Sequence, residues 1–168
     1  MRSGVVRVVI PMFRAKRLLP LVPALAILSL GGGCGGGKEK VSAAELVQKG
    51  DEICREEQRR FAQIQAHPPP SASVAADQTN ELIDVADAAN SDLGDLEPPD
   101  SMQGRYDDYL DARDQVVEEM KRGADAADSQ NSTAYAAAQE AVAKTNPRRR
   151  HLADSLGFHV CSTNPGSV

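Results

Sequence analysis

The sequence is poor in the residue types that most often carry recognition and catalysis. Its 168 residues contain no Trp, three Tyr, three Phe, three His and three Cys. So few aromatic rings argue against a site that stacks on nucleobases. The formal net charge of −5, from 19 Lys and Arg against 24 Asp and Glu, argues against a basic surface for nucleic acid. The length suits a single domain, and we expect it to bind no nucleic acid.

Sequence motifs of catalysis and of cofactor or metal binding are also absent. The chain has no phosphate-binding loop and no C-x-x-C. None of the histidines, His67, His151 and His159, lies in an H-E-x-x-H or E-x-x-H arrangement. His151, Asp154 and Ser155 are close in sequence, but closeness on one helix does not make a catalytic triad. We therefore expect neither an enzyme nor a cofactor or metal site.

The N-terminal residues have the pattern of an export signal. Residues 1–33 contain five basic residues and no acidic one. A basic stretch followed by the 13-residue apolar run at residues 18–30 is typical of a secretory signal peptide. The run is too short, and too interrupted by prolines, to span a bilayer of about 30 Å. Translation can start at Met1 or Met12, and residues 34–168, with 14 basic and 24 acidic residues, carry −10.

The segment Leu30-Gly31-Gly32-Gly33-Cys34 resembles the lipobox of bacterial lipoproteins, although the apolar residue lies four places before the cysteine rather than three. The resemblance implies that Cys34 is lipidated and anchors the exported protein to the outer face of the cell membrane. Two or more acyl chains anchor a protein stably. Cleavage by the ordinary signal peptidase is the alternative, and it would leave Cys34 as an unpaired thiol. Residues 34–41 then form a lipidated, glycine-rich flexible tether.

The rest of the chain predicts a helical domain over residues 42–161. Apolar residues recur at intervals of three and four in each of four segments, and no segment alternates with a period of two. The candidate N-caps are Ser42, in a capping box with Glu45, then Ser71 or Ser73, Asp100 or Ser101, and Asn131 or Ser132. Gly157 is placed to end the last helix, which Pro147 must kink or split. Short connections favour an all-α, antiparallel up-down four-helix bundle, followed by a disordered tail at residues 162–168.

The apolar faces of these helices are built largely from alanine, so the predicted core is weak. The face of the first helix carries Val47, Gly50, Cys54, Glu57, Phe61 and Ile64. Small side chains bury little apolar area, and each Å² contributes only about 25 cal/mol. The bundle is therefore expected to depend on a crosslink.

A disulfide between Cys54 and Cys161 is the expected crosslink that closes the bundle. With Cys34 lipidated, these two cysteines remain, and export allows them to pair. The first and last helices are neighbours in an up-down bundle, so residues 158–161, predicted as a short extended tail, can fold back along the first helix. Two separate buried thiols are the alternative.

Acidic residues dominate the middle of the chain, where residues 71–128 hold 16 acidic residues and 4 basic ones. The third helix carries an acidic flank consisting of Asp107, Asp108, Asp111, Asp114, Glu118 and Glu119. We interpret this flank as a solvated face; contact with a basic partner or with loosely held divalent cations is the alternative. The arginines at 148–150 are predicted to pair with the flank, or alternatively to face anionic lipid or wall polymer.

The whole arrangement resembles small Ala-rich lipoproteins of high-GC Gram-positive bacteria. The features that carry the resemblance are the lipobox, the tether, Ile53-Cys54, the Leu-x-x-Leu-Glu-Pro-Pro pattern at residues 93–99, and residues 156–161. The resemblance implies architecture and location but no activity. We expect a non-enzymatic envelope lipoprotein that binds an envelope protein partner or serves as a scaffold. The alternative is a receptor for a small molecule or a cation.

Reduction of the Cys54–Cys161 bond should lower the melting temperature strongly. The bond closes a loop of about 100 residues, which contributes about 4–5 kcal/mol in the chain-entropy model. Thermal unfolding followed by circular dichroism, with and without reductant, measures the effect. An unchanged midpoint in reductant would contradict the prediction.

Overall fold

The computed structural model of the protein describes residues 40–163. Within that range the chain forms four α-helices and no β-strand, which confirms the all-α prediction. The helices are α1 (Ala43–Ile64), α2 (Ala72–Gly94), α3 (Gln103–Asp128) and α4 (Ser132–Ser155). None of the four combines the length and the hydropathy that a bilayer-spanning helix requires. The predicted signal peptide, Cys34, most of the tether and the end of the predicted tail lie outside the described residues.

Three of the four helices begin at N-caps that the sequence predicts. The Ser42 hydroxyl accepts the backbone N–H of Glu45 at 3.3 Å, and the Glu45 carboxylate accepts the N–H of Ser42 at 2.9 Å, which forms the predicted capping box. Ser71 and Asn131 cap α2 and α4 by accepting the N–H three residues later, at 3.3 and 3.0 Å. Each bond satisfies an N–H group that has no partner within its helix.

The predicted cap of α3 is wrong, because neither Asp100 nor Ser101 caps that helix. The residue before α3 is Met102, and no side chain bonds to the first turn. The N–H of Met102 donates to the carbonyl of Pro99 at 2.8 Å, so a turn after the proline pair delays the start of the helix. Asp100 lies inside this turn, where its carboxylate accepts a hydrogen bond from the Lys40 ammonium.

Helix α4 runs without a break through Pro147, so the proline does not split it. Proline removes one backbone N–H from the helix, and the Pro147 side chain is exposed. The helix ends as predicted at Gly157, whose φ of +85° is left-handed. The N–H of Gly157 donates to the carbonyl of Asp154 at 2.9 Å, and that of Phe158 to Ala153 at 3.0 Å. This is the Schellman pattern of a helix C-terminus.

Helices that follow one another in the chain pack together, α1 on α2, α2 on α3 and α3 on α4. The backbones of α1 and α4 do not approach each other, so the expectation that the first and last helices are neighbours is wrong for their backbones. Residues 157–163, here called the C-terminal segment, contact α1 instead.

The C-terminal segment forms turns around a buried carboxylate rather than the extended tail that the sequence predicted. Asp51 of α1 is 9% exposed. Its carboxylate accepts the backbone N–H groups of His159 at 3.1 Å, Val160 at 2.8 Å and Cys161 at 3.5 Å. Successive N–H groups can converge on one anion only where the backbone curves, since those of an extended chain alternate in direction. The carboxylate therefore sets the conformation of the segment.

An aromatic cluster forms the main core where this segment meets α1. Tyr106, Tyr109 and Phe158 are fully buried, with ring centroids 5.5, 6.3 and 6.4 Å apart. The Phe158 ring lies on Gly50, where an added Cβ would be only 2.7 Å from the ring. Burial raises the pKa of Tyr106, and the neutral hydroxyl donates to the carbonyl of Leu93 at 2.6 Å. Glycine on this face of α1 thus permits close packing of the segment.

The structure confirms the disulfide between Cys54 and Cys161, with Sγ atoms 2.11 Å apart and Cα atoms 5.2 Å apart. Both cysteines are 1% exposed and belong to the same core as the aromatic cluster. A second, smaller cluster between α2 and α3 contains Ile83, Ala86, Val117 and Ala124. The expected core of small side chains fits this second cluster, whereas the sequence interpretation missed the aromatic core at the disulfide.

Candidate ligand-binding site

A cavity of about 540 Å³ lies between the helices. Its walls include residues from all four helices, from the α1–α2 loop and from the C-terminal segment. Along α1 the lining extends from Cys54 to Gln65, which is about 16 Å at the rise of a helix. The volume is in the range of sites that bind small organic molecules.

Two walls of the cavity come from α1 and α4, the helices whose backbones remain apart. The lining residues are Cys54, Glu57, Gln58 and Phe61 on α1, with Gln65 at its C-cap, and Tyr135, Gln139, Val142, Asn146 and Arg149 on α4. Their spacing places each set on one face of its helix. These faces would form an interface if the helices touched, and they line the cavity because the helices do not.

The cavity has a charged end and an apolar end. Arg113 and Arg149 lie at the charged end, beside the disulfide: a guanidinium nitrogen of Arg113 is 3.8 Å from Cys54 Sγ, and Arg149 binds the carbonyl of Cys161. The lining residues one or more helical turns away are mostly apolar and include Phe61, Leu82, Val117, Met120, Tyr135 and Val142, but Gln65, His67, Gln78, Thr79 and Gln139 also line this part. A molecule that fills the cavity therefore meets charge at one end and uncharged, mostly apolar side chains at the other.

Arg113 has a complete set of partners at the charged end. Its side chain is 3% exposed and forms an ion pair with Glu57 at 2.7 Å. It also donates to Asn90 and, at 3.2 Å, to the hydroxyl of Tyr109. Burial lowers the pKa of the guanidinium, but the charge of Glu57 and the hydroxyl of Tyr109 outweigh burial and raise it overall. Glu57 therefore balances the charge of Arg113.

Arg149 is buried without a carboxylate partner among residues 40–163. It is 8% exposed, and it donates to the Asn146 side chain and to the carbonyl of Cys161, both at 3.1 Å. Both acceptors are neutral. Burial lowers the pKa of Arg149, and the positive charge of Arg113 lowers it further. Two guanidinium groups and one carboxylate thus line the charged end, which gives the lining one positive charge in excess; the Asp51 carboxylate lies outside the lining and accepts backbone N–H groups of the C-terminal segment.

The predicted pairing of the arginines with the acidic flank of α3 is wrong for Arg148 and Arg149. Arg148 donates to the side chain of Gln115 at 3.3 Å, and Arg149 faces the cavity. Glu118 and Glu119 of the flank pair with basic residues three positions later on α3 itself, at 3.2 and 2.9 Å. Local pairs of this kind suit a solvated face.

The structure brings some of the sequence-predicted residues to the cavity. Cys54 and Cys161 line its charged end as the disulfide. His67 lines it from the α1–α2 loop, whereas the other two histidines are exposed and do not line it. In the described part of the chain, no group of three or more His, Cys, Asp or Glu is placed to hold a metal ion. Cys34 lies outside that part.

Sequence reasoning missed the cavity because it assigned the inward faces of the helices to a packed core. One signal was present: Glu57 lies within the apolar face of α1. On α4, Gln139, Asn146 and Arg149 recur at helical spacing with Val142. Polar residues that repeat on an inward face are the pattern that could have indicated a lined space.

Replacement of Glu57 by Gln should destabilise the protein by about 3 kcal/mol, because Arg113 would keep a buried charge without a counter-charge. Urea unfolding monitored by circular dichroism measures the change. The control is Glu56→Gln, which removes an exposed pair with Arg59 from the adjacent position and should leave the midpoint nearly unchanged. Equal midpoints for the two variants would contradict the role assigned to Glu57.

Comparison with known proteins gave no match: no family model, no curated protein and no solved structure is similar to this chain. The cavity and the charged groups around it are therefore the basis on which a function is proposed.

Proposed function

We propose that the chain is an exported lipoprotein, cleaved before Cys34 and anchored by acyl chains to the outer face of the cell membrane, whose helical domain binds a small organic molecule. The observation that carries the proposal is the cavity of about 540 Å³, on which polar side chains from all four helices converge. The sequence favoured a partner-binding or scaffolding role and kept a receptor as the alternative. The cavity favours the receptor.

We also propose that the four helices run alternately up and down. Between α2 and α3, Asn90 bonds to Asp114 at 2.8 Å and Asp87 pairs with Lys121 at 3.6 Å. Between α3 and α4, Gln115 bonds to Arg148, while a Cβ added at Gly123 would be 3.6 Å from that of Ala138. In both pairs the numbers rise along one helix as they fall along the other, which supports an antiparallel order.

The cavity between the helices argues against a purely scaffolding role. Helix faces that line an open space instead of packing against each other forfeit apolar burial, which costs stability that a filled core would retain. A buried arginine without a carboxylate adds a desolvation cost. Arg149 carries both features at once, since it lines the cavity and its acceptors among residues 40–163 are neutral. A bound molecule would offset both costs, whereas a spacer has no need to bear them.

We infer that the cavity binds rather than catalyses. Cys54 and Cys161 are joined to each other, so neither offers a thiolate. The Glu57 carboxylate is engaged by Arg113. The other polar lining groups are chiefly amides and hydroxyls, which hold a ligand by hydrogen bonds.

Replacement of Cys34 by Ser should move the exported protein from the membrane fraction to the soluble fraction, because serine does not receive the acyl chains that provide the anchor. Immunoblots of both fractions, with the wild-type protein as reference, measure the shift. Retention of the variant in the membrane fraction would contradict the lipid anchor and would leave the cavity proposal intact.

The Cys34→Ser chain, purified without detergent, should bind the neutral apolar dye N-phenyl-1-naphthylamine in the cavity. Dye fluorescence rises in apolar surroundings, and bound dye should also raise the unfolding midpoint. Adding Val142→Phe fills part of the cavity and should weaken binding. The control adds Ala143→Phe at the adjacent exposed position and should bind dye as before.

Equal dye binding by these two phenylalanine variants would place the dye outside the cavity. That result, or no binding at all, would overturn the receptor proposal and would favour the scaffolding role instead.

A further inference from the structure

The charged end of the cavity favours a ligand with one sign of charge. Every helix contributes to this end, and its charged groups are Glu57 on α1, Arg113 on α3 and Arg149 on α4. Helix α2 supplies the neutral side chain of Asn90. Because Glu57 already balances Arg113, a cationic ligand would meet an excess of positive charge. The charge at this end disfavours a cation and favours an anion.

Arg149 is the charged group with more N–H donors left for a ligand. A guanidinium carries five N–H donors in a planar fork. Arg149 uses two of them, one from Nε to Asn146 and one from Nη1 to the carbonyl of Cys161. Arg113 uses Nε and both Nη atoms on Asn90, Tyr109 and Glu57. An incoming anion therefore has more to gain at Arg149.

The two neutral contacts of Arg149 also hold the guanidinium in place. The carbonyl of Cys161 belongs to the C-terminal segment, which is fixed to α1 by the disulfide and by Asp51. A fork held in advance loses little side-chain entropy when an oxyanion binds. The burial of Arg149 strengthens the interaction, since charge-assisted hydrogen bonds are stronger than those between neutral groups.

We propose that the ligand is an amphipathic monoanion, with its carboxylate on Arg149 and its apolar body along the side chains at the far end of the cavity. This inference rests on the proposed function, because it names the class of molecule that the same cavity takes. A single carboxylate matches the excess of one positive charge. The apolar walls at Phe61, Met120 and Tyr135 then cover the hydrocarbon part.

The test uses two matched dyes in the detergent-free Cys34→Ser chain. N-phenyl-1-naphthylamine is neutral, and 8-anilinonaphthalene-1-sulfonate is the same ring system with an anionic group. The anionic dye should bind at least about tenfold more tightly, the range expected for hydrogen bonds to a charged group. Arg149→Gln should remove this advantage while the neutral dye keeps its affinity.

Two variants keep the test independent of folding defects. Arg149→Lys retains the charge without the planar fork and should restore part of the preference for the anionic dye. Arg148→Gln removes the neighbouring arginine, whose side chain is exposed and bonds to Gln115, and should leave the preference unchanged. The preference for the anionic dye over the neutral dye is also measured with Arg149 intact, so this part of the test needs no substitution at that residue.

Displacement of the anionic dye identifies the head group. Decanoate should displace it better than decan-1-ol and better than decyltrimethylammonium. Superior displacement by decyl phosphate would replace the carboxylate by a phosphate and overturn the assignment of a monoanionic head group. Equal displacement by the cation would overturn the anionic site altogether.

The failure of this inference differs from the failure of the proposed function. If both dyes bind equally in the cavity, or if Arg149→Gln leaves the anionic preference intact, the anionic site is wrong and the receptor stands. If neither dye binds in the cavity, the receptor itself is wrong.

Discussion

The attachment of the C-terminal segment to α1 determines how much space the bundle encloses. Asp51 accepts three consecutive N–H groups of the segment, and the disulfide joins the same stretch to Cys54. Phe158 packs on Gly50 just beside them. The end of α4 is thereby secured to α1 through the C-terminal segment rather than through a helix–helix interface. The two helices stay apart, and their facing sides line the cavity.

The same attachment brings the charges together. Arg113 lies against Cys54, and Arg149 donates to the carbonyl of Cys161, so the two halves of the crosslink each have a guanidinium beside them. Glu57 is one helical turn from Cys54 and neutralises only one of the two. The disulfide, the aromatic core and the excess positive charge therefore lie at the same height along the bundle. Farther along the helices lie the second, smaller cluster between α2 and α3 and the mostly apolar walls of the cavity.

Local signals in the sequence predicted local structure well. Ser42, Ser71, Asn131 and Gly157 act at helix ends as expected, because capping depends on a few adjacent residues. Cysteine arithmetic found the disulfide, since only two cysteines were left to pair. The turn on Asp51 was not predictable, because its acceptor and donors lie 108 or more residues apart. The cavity was missed for the same reason: helical periodicity identifies an inward face but not whether another helix packs against it.

In mechanical terms, the disulfide turns most of the domain into a closed ring. Residues 54 to 161 are bounded by one covalent bond, so a pull between the two ends of the chain passes through the sulfur atoms. Such a load can unwind the first three turns of α1, but it does not reach α2, α3 or α4. The walls of the cavity lie almost entirely inside the ring. A pull on the N-terminus thus strains the chain without opening the cavity.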